Sequence, residues 1–136
     1  MENNLKSNSY NGLTLAYIGD SVYELYIRNF VISLGLTKVN DLHNKVVSYT
    51  SAKAQQVFME GLLKKELLND YELNLYKRGR NQHPSTTRHN VNLSTYLEAT
   101  GFEALIGGLY VDNNIDRVEE IIKLVTEGGL WDGKKS

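Results

Sequence analysis

The sequence predicts an all-α domain, and three observations carry that prediction. The chain of 136 residues holds a single proline, Pro84. Apolar residues recur at three- and four-residue steps through most of the chain, and alternating β-branched runs are few. Asparagine, aspartate and glycine fall at the places where such stripes begin and end.

Residues 1–10 are polar and read as a flexible lead-in, and residues 11–127 as one helical domain. The first helix runs from near residue 11 to residue 34 and stops at Gly35, a C′ position suited to glycine. It carries a candidate break at Gly19. Asn40 or Asp41 caps a second helix. Its stripe of Leu42, Val46, Val47, Tyr49, Ala52, Ala54, Val57, Phe58 and Leu62 predicts a helix to about residue 68, bent near residues 48–51. Asn69-Asp70 opens a short helix through Leu73 and Tyr76. Residues 77–92 read as loop, being polar, aperiodic and home to the proline. A long helix follows from residue 93 or 94 to about residue 112. Asp116 and Glu119 have the spacing of a capping box for a last helix, which buries Val118, Ile121, Ile122 and Val125. Gly128-Gly129 ends that helix, and residues 128–136 read as a flexible tail, with Trp131 as its one anchor.

This length suits a single domain with a core of its own. A formal net charge of −1 gives no global argument for nucleic acid, so any such argument rests on local charge. The absence of cysteine excludes disulfides and thiolate metal sites. The polar N-terminus lacks an apolar signal core, and the apolar runs are too short for a bilayer. A soluble protein of the cytoplasm, away from membranes, is the expectation.

Two stretches stand out. In Leu15-Ala16-Tyr17-Ile18-Gly19-Asp20-Ser21-Val22-Tyr23-Glu24-Leu25, one acid follows a glycine inside an apolar helical run. In Ala99-Thr100-Gly101-Phe102-Glu103-Ala104-Leu105-Ile106-Gly107-Gly108-Leu109-Tyr110, Glu103 is set the same way. A glycine inside a helix gives up about 1 kcal/mol relative to alanine, so close approach of a second helix or a ligand is implied at Gly19. A buried carboxylate needs a cation, a donor or a proton. One reading makes Asp20 a helix N-cap and Glu103 half of a salt bridge. The other brings both acids to one site, where two close helices hold a hard divalent cation.

Between Glu72 and Glu98 there is no acid, while Lys77, Arg78, Arg80, Arg88, His83 and His89 fall in that interval. Such a segment suits a phosphate backbone, with the arginines as the better forks; a solvated surface loop is the alternative. His43 reads as structural. Lys53, Gln55 and Gln56 read as a polar helix face. Phosphate-loop, dinucleotide and His/Cys metal spacings are missing.

Residues 15–23 resemble the signature of the ribonuclease III family, Phe102 to Tyr110 resembles its second acidic motif, and Lys77-Arg78-Gly79-Arg80-Asn81 with Thr86-Thr87 resembles the loop of its short branch, Mini-ribonuclease III. The resemblance covers roughly residues 11–125. It implies a ribonuclease III catalytic-domain-like helical bundle, homodimeric, with no appended RNA-binding domain. It further implies a Mg2+-dependent endoribonuclease that cleaves double-stranded RNA to 5′-phosphate and 3′-hydroxyl ends and matures the large-subunit (23S) ribosomal RNA precursor. By the same resemblance Asp20 and Glu103 are the catalytic and metal-holding residues, and Lys77, Arg78, Arg80 and Arg88 contact RNA. The wider family pattern has further acids where this chain has Leu13, Ala16 and Thr100, so metal binding here rests on fewer carboxylates. The rival reading is a catalytically silent helical module of the same fold that binds RNA, and a third is a helical adaptor between proteins.

Overall fold

The computed structural model describes residues 5–82 and 92–130. Among these the regular elements are all helical. A 3-10 turn at Lys6–Ser9 leads into α1 (Gly12–Ser33), α2 (Val39–Thr50), α3 (Ala52–Lys64), α4 (Asp70–Arg80), α5 (Leu93–Val111) and α6 (Ile115–Thr126).

The bundle is built around α5. From Glu98 to Leu109 every residue except Glu103 is buried, so this helix is apolar nearly all round and must be covered on every side. α1, α3, α4 and α6 supply that cover. The Phe102 ring meets the buried Tyr23 of α1 edge to face, with centroids 5.0 Å apart at 88°, an arrangement worth about 1 kcal/mol beyond its area. Gly101 and Gly108 let α4 lie close, because a Cβ at either would run into Tyr76 or Leu75. At the far end, buried Glu72 of α4 accepts two hydrogen bonds from Arg117 of α6, at 2.7 and 3.0 Å. That pair ties the last helix to the fourth.

Several boundaries agree with the sequence. Asn11 caps α1 through the Thr14 amide at 2.8 Å. Gly35 follows the α1 C-cap with φ +89°. The expected bend in the second helix is a complete break: Ser51 closes α2 and its hydroxyl caps α3 at the Ala54 amide. α3 then ends at Lys64, earlier than expected, where Glu66 takes a positive φ of 54°.

Other expectations are corrected. Residues 77–80 are not loop but the last turn of α4, since Leu75, Tyr76 and Gly79 are buried against the bundle and carry the helix onward. The capping box belongs to α4, where Asn69 and Glu72 form both halves of it. α6 has no side-chain cap; Asp116 already lies inside the helix. In the polar lead-in, Lys6–Ser9 is wound into a 3-10 turn, because the Ser7 amide and hydroxyl both donate to Asp112, at 2.7 and 2.6 Å. Near the other end Leu130 is 3% exposed and packs on Gly61. Pro84, His83, Thr86, Thr87, Arg88, His89 and Trp131 lie outside the described residues.

Candidate active site

α1 and α5 cross glycine on glycine. A Cβ built at Gly19 would stand 1.8 Å from the Glu103 carbonyl oxygen, and one at Gly107 would stand 1.9 Å from the Leu15 carbonyl oxygen. No side chain fits at such distances, so the glycine beside Asp20 is there for a helix and not for a ligand. α1 runs without a break through this point, and Asp20 lies well inside it. The N-cap reading of Asp20 therefore fails.

The crossing sets Asp20, the residue after Gly19, beside Glu103. Asp20 is exposed, in a surface cleft shared with Ser21, Glu24, Leu25 and Arg28. Glu103 is mostly buried, and its carboxyl is pushed up to about 8: burial acts first, then the Asp20 charge and a hydrogen bond shared with Asp20. The amide of Gln55 pulls the other way, favouring the ionised form. Among the described residues no Lys or Arg pairs with Glu103, so the salt-bridge reading finds no partner there. The chain thus holds two carboxyl groups side by side on rigid helices. Their hard oxygen donors suit Mg2+. The described residues contain no cluster of three or more acids or histidines set for a metal. Leu13, Ala16 and Thr100 account for that thinness: Ala16 and Thr100 are buried, and the Thr100 hydroxyl donates back to Tyr96 of its own helix at 2.9 Å.

The joint between α2 and α3 is stitched to α1 and α3 by side-chain bonds to main chain. The hydroxyl of Tyr23 donates to the Tyr49 carbonyl at 2.8 Å, and Gln55 Nε2 donates to the neighbouring Thr50 carbonyl at 3.0 Å. Gln55 is 2% exposed, which corrects the expectation of a polar helix face. The signal was in the spacing, because Gln55, Phe58, Met59 and Leu62 share one side of α3 and all are buried. Lys53 is exposed, as expected, while Gln56 is half-buried. His43 is exposed beside a groove between α1 and α2.

The basic residues sit at the end of α4. Lys77 is exposed. The guanidinium of Arg78 turns inward and donates to the carbonyl oxygens of Ser7, at 2.9 Å, and Tyr10. Arg80 donates through Nε to Glu98 Oε2 at 2.7 Å, and Glu98 also receives the Tyr76 hydroxyl. The structure does not gather these cations with the acid pair. It places them on α4, which packs along α5 beside the Glu103 turn, with Gly79 against Thr100 and Ala104.

A family model for the ribonuclease III domain matches residues 13–114. The chain belongs to the ribonuclease III family. Its relatives there include the Mini-ribonuclease 3 of Enterococcus faecalis, 48% identical over 82% of this chain and 85% of that one. The Mini-ribonuclease 3 of Clostridium tetani is 47% identical, covering 85% of this chain and 76% of that one. That of Streptococcus pneumoniae is 42% identical over 85% and 90%. In shape the chain resembles the crystal structure of a Fusobacterium nucleatum protein with a TM-score of 0.78 and 29% identity, covering 88% of this chain and 94% of the other. As a ribonuclease III family member it is an endoribonuclease, of a family that acts on double-stranded RNA. The all-helical fold expected from the sequence is the fold found.

Proposed function

We propose that Asp20 and Glu103 together form the catalytic pair and hold Mg2+, and that the protein matures the large-subunit ribosomal RNA precursor in the cytoplasm. The observation that carries this reading is the pair itself: two carboxyls brought together by the helix crossing, with Glu103 raised by burial first and the Asp20 charge second, and no Lys or Arg among the described residues paired with either. Bound there, Mg2+ would supply an activated water and offset charge on the phosphate. The chain's own part is positional. Asp20 presents its carboxylate to the open cleft, and Glu103 presents one from a desolvated wall. The main-chain contact at Gly19 and Gly107 fixes the distance between them. Hydrolysis of the phosphodiester leaves a 5′-phosphate and a 3′-hydroxyl. No described helix is long and apolar enough to cross a membrane.

The experiment is cleavage of labelled double-stranded RNA and a matched DNA duplex, with Mg2+ and with EDTA, on a generic duplex and on a ribosomal precursor stem. Cleavage of RNA only, lost in EDTA, supports the reading. Binding of both RNAs without cleavage of either overturns it in favour of the RNA-binding module.

Lys77, Arg78, Arg80 and Arg88 are the proposed contacts to the RNA backbone. Lys77 carries most of this among the described residues, because Arg78 and Arg80 already serve backbone carbonyls and Glu98. Replacing Lys77 with alanine is expected to lower the salt slope of RNA binding by about 1, whereas Arg78→Ala is expected to lower thermal stability as well. An unchanged slope for Lys77→Ala removes it from the contact set.

The functional unit proposed is a homodimer. The outer side of α1 leaves Leu13, Tyr17 and Leu25 exposed, Tyr17 by 79%. These flank Asp20, so a second copy laid on this side would bring two acid pairs to one duplex. Sedimentation at micromolar concentration is expected to give twice the chain mass, falling to a single mass for Tyr17→Glu. A wild-type monomer under those conditions overturns the two-site arrangement.

A further inference from the structure

We propose that Glu98, steadied by Tyr76, is a positioning residue for RNA binding: it grips Arg80 by Nε and leaves the outer end of that guanidinium aimed at the phosphate backbone. The inference rests on the reading of Arg80 as an RNA contact.

The described residues hold four arginines, and they spend their donors differently. Arg117 gives Nε to Glu72, Nη1 to Glu120, and Nη2 to both Glu72 and the Leu67 carbonyl. Arg28 gives Nε and Nη2 to Glu24. Arg78 turns Nη2 inward to the Ser7 and Tyr10 carbonyls. Arg80 gives Nε alone, to Glu98 Oε2 at 2.7 Å. The N–H groups on its Nη1 and Nη2 meet no acceptor among the described residues. Its side chain is 38% exposed, against 11% for that of Glu98. The outer end of the guanidinium, which can fork onto a phosphate, is thus the end left over.

The grip comes from a fixed wall. Glu98 is buried on α5, and the Tyr76 hydroxyl of α4 donates to both of its oxygens, at 2.8 and 3.0 Å. Tyr76 is itself buried, with its ring laid on Gly101. Held on both oxygens, the carboxylate sets where the guanidinium stands.

The simpler account makes the Arg80–Glu98 pair a tie between α4 and α5. Those helices already meet at Gly79, Gly101 and Gly108, where they lie too close for a Cβ. A buried ion pair also adds little stability, because desolvation offsets the attraction. Arg117 is such a tie in this chain, with every guanidinium nitrogen bonded. Arg80 is half-spent. Glu98 lowers the local positive charge, so Lys77 keeps the larger share of the salt dependence. What Glu98 contributes is order: fixing one long, flexible side chain in advance spares binding a loss of about two- to tenfold.

The test is binding of labelled double-stranded RNA, followed by fluorescence anisotropy in EDTA over a range of salt, so that neither cleavage nor metal enters. Glu98→Gln keeps the shape and removes the charge. A carboxylate that merely lies near RNA repels phosphate, so its loss would tighten binding. Glu98→Gln is instead expected to weaken binding about fivefold, with kcat at saturating RNA and Mg2+ unchanged. Arg80→Ala is expected to weaken it at least as much. The double variant is expected to match Arg80→Ala alone, since Glu98 acts only through Arg80. Tyr76→Phe is expected to shift affinity the same way by less, and it is read in place of Glu98→Gln if that variant does not fold. Unchanged or tighter binding by folded Glu98→Gln, beside weakened binding by Arg80→Ala, overturns this inference alone. Losses that add in the double variant overturn it too, because Glu98 then acts by another route. Unchanged binding by Arg80→Ala removes Arg80 from the RNA contacts and takes the inference with it.

Discussion

Asp20→Asn is expected to leave the protein folded and to lower cleavage of double-stranded RNA by about a thousandfold or more, the scale of several kcal/mol of charge stabilisation by a bound cation. Asp20 is exposed and pairs with no Lys or Arg among the described residues, so its loss opens no cavity. A second result separates charge from structure. Without metal, the Glu103 carboxyl stays protonated in the folded protein up to about 8, against an ordinary 4.5. Between those values the folded state binds more protons than the unfolded one, so stability present at low pH is lost as pH rises towards 8. Removing the Asp20 charge relieves part of that loss. In EDTA at pH 8 the melting temperature of Asp20→Asn is therefore expected to exceed that of the wild type. Adding Mg2+ is expected to raise the wild type and leave the variant where it was. A wild-type melting curve flat between pH 5 and 8 in EDTA would sink the account of the pair as uncompensated like charges.

Gly19→Ala has the second large effect, and two principles disagree on its sign. Helix propensity alone favours alanine over a mid-helix glycine by about 1 kcal/mol. Packing opposes it, because the new methyl carbon would stand 1.8 Å from the Glu103 carbonyl oxygen and 2.8 Å from the Gly107 nitrogen. Those atoms are main chain and cannot swing aside, so the helices must part. Overpacking of this kind costs about 3 kcal/mol or more, and packing wins. The expected result is a fall in melting temperature of about 10 °C. Cleavage is expected to be lost even in whatever folded protein remains, because the acids on either side of the crossing move apart. Gly107→Ala is expected to match it. A melting temperature at or above that of the wild type would show that α1 and α5 do not touch here.

The two acids and their glycines were legible because they break a pattern: a polar charge and a weak helix former inside an apolar run have few physical excuses. That Gly19 answers to a helix was not legible, since either a helix or a ligand asks for the same missing Cβ. The end of α4 was misread because its polar side dominates the sequence; the apolar side is carried by Leu75, Tyr76 and Gly79 alone. There the charge run also hid how Arg78 and Arg80 are used, because carbonyl partners such as Ser7 and Tyr10 leave no trace in residue type. Gln55 was overlooked for the opposite reason. Its chemistry looked ordinary between Lys53 and Gln56, while its position on the Phe58–Met59–Leu62 side of α3 marked it as buried.

The glycine crossing has a bearing on how the enzyme comes into being. Its two halves, Gly19 and Gly107, lie far apart in sequence, so the crossing closes a long loop and depends on non-local contacts. During synthesis α1 leaves the ribosome long before α5 exists. A nascent chain carrying Asp20 without Glu103 lacks the proposed pair. On the proposed assignment, cleavage therefore waits for α5 to be made and docked, and a fragment that stops short of α5 is expected to leave RNA uncut.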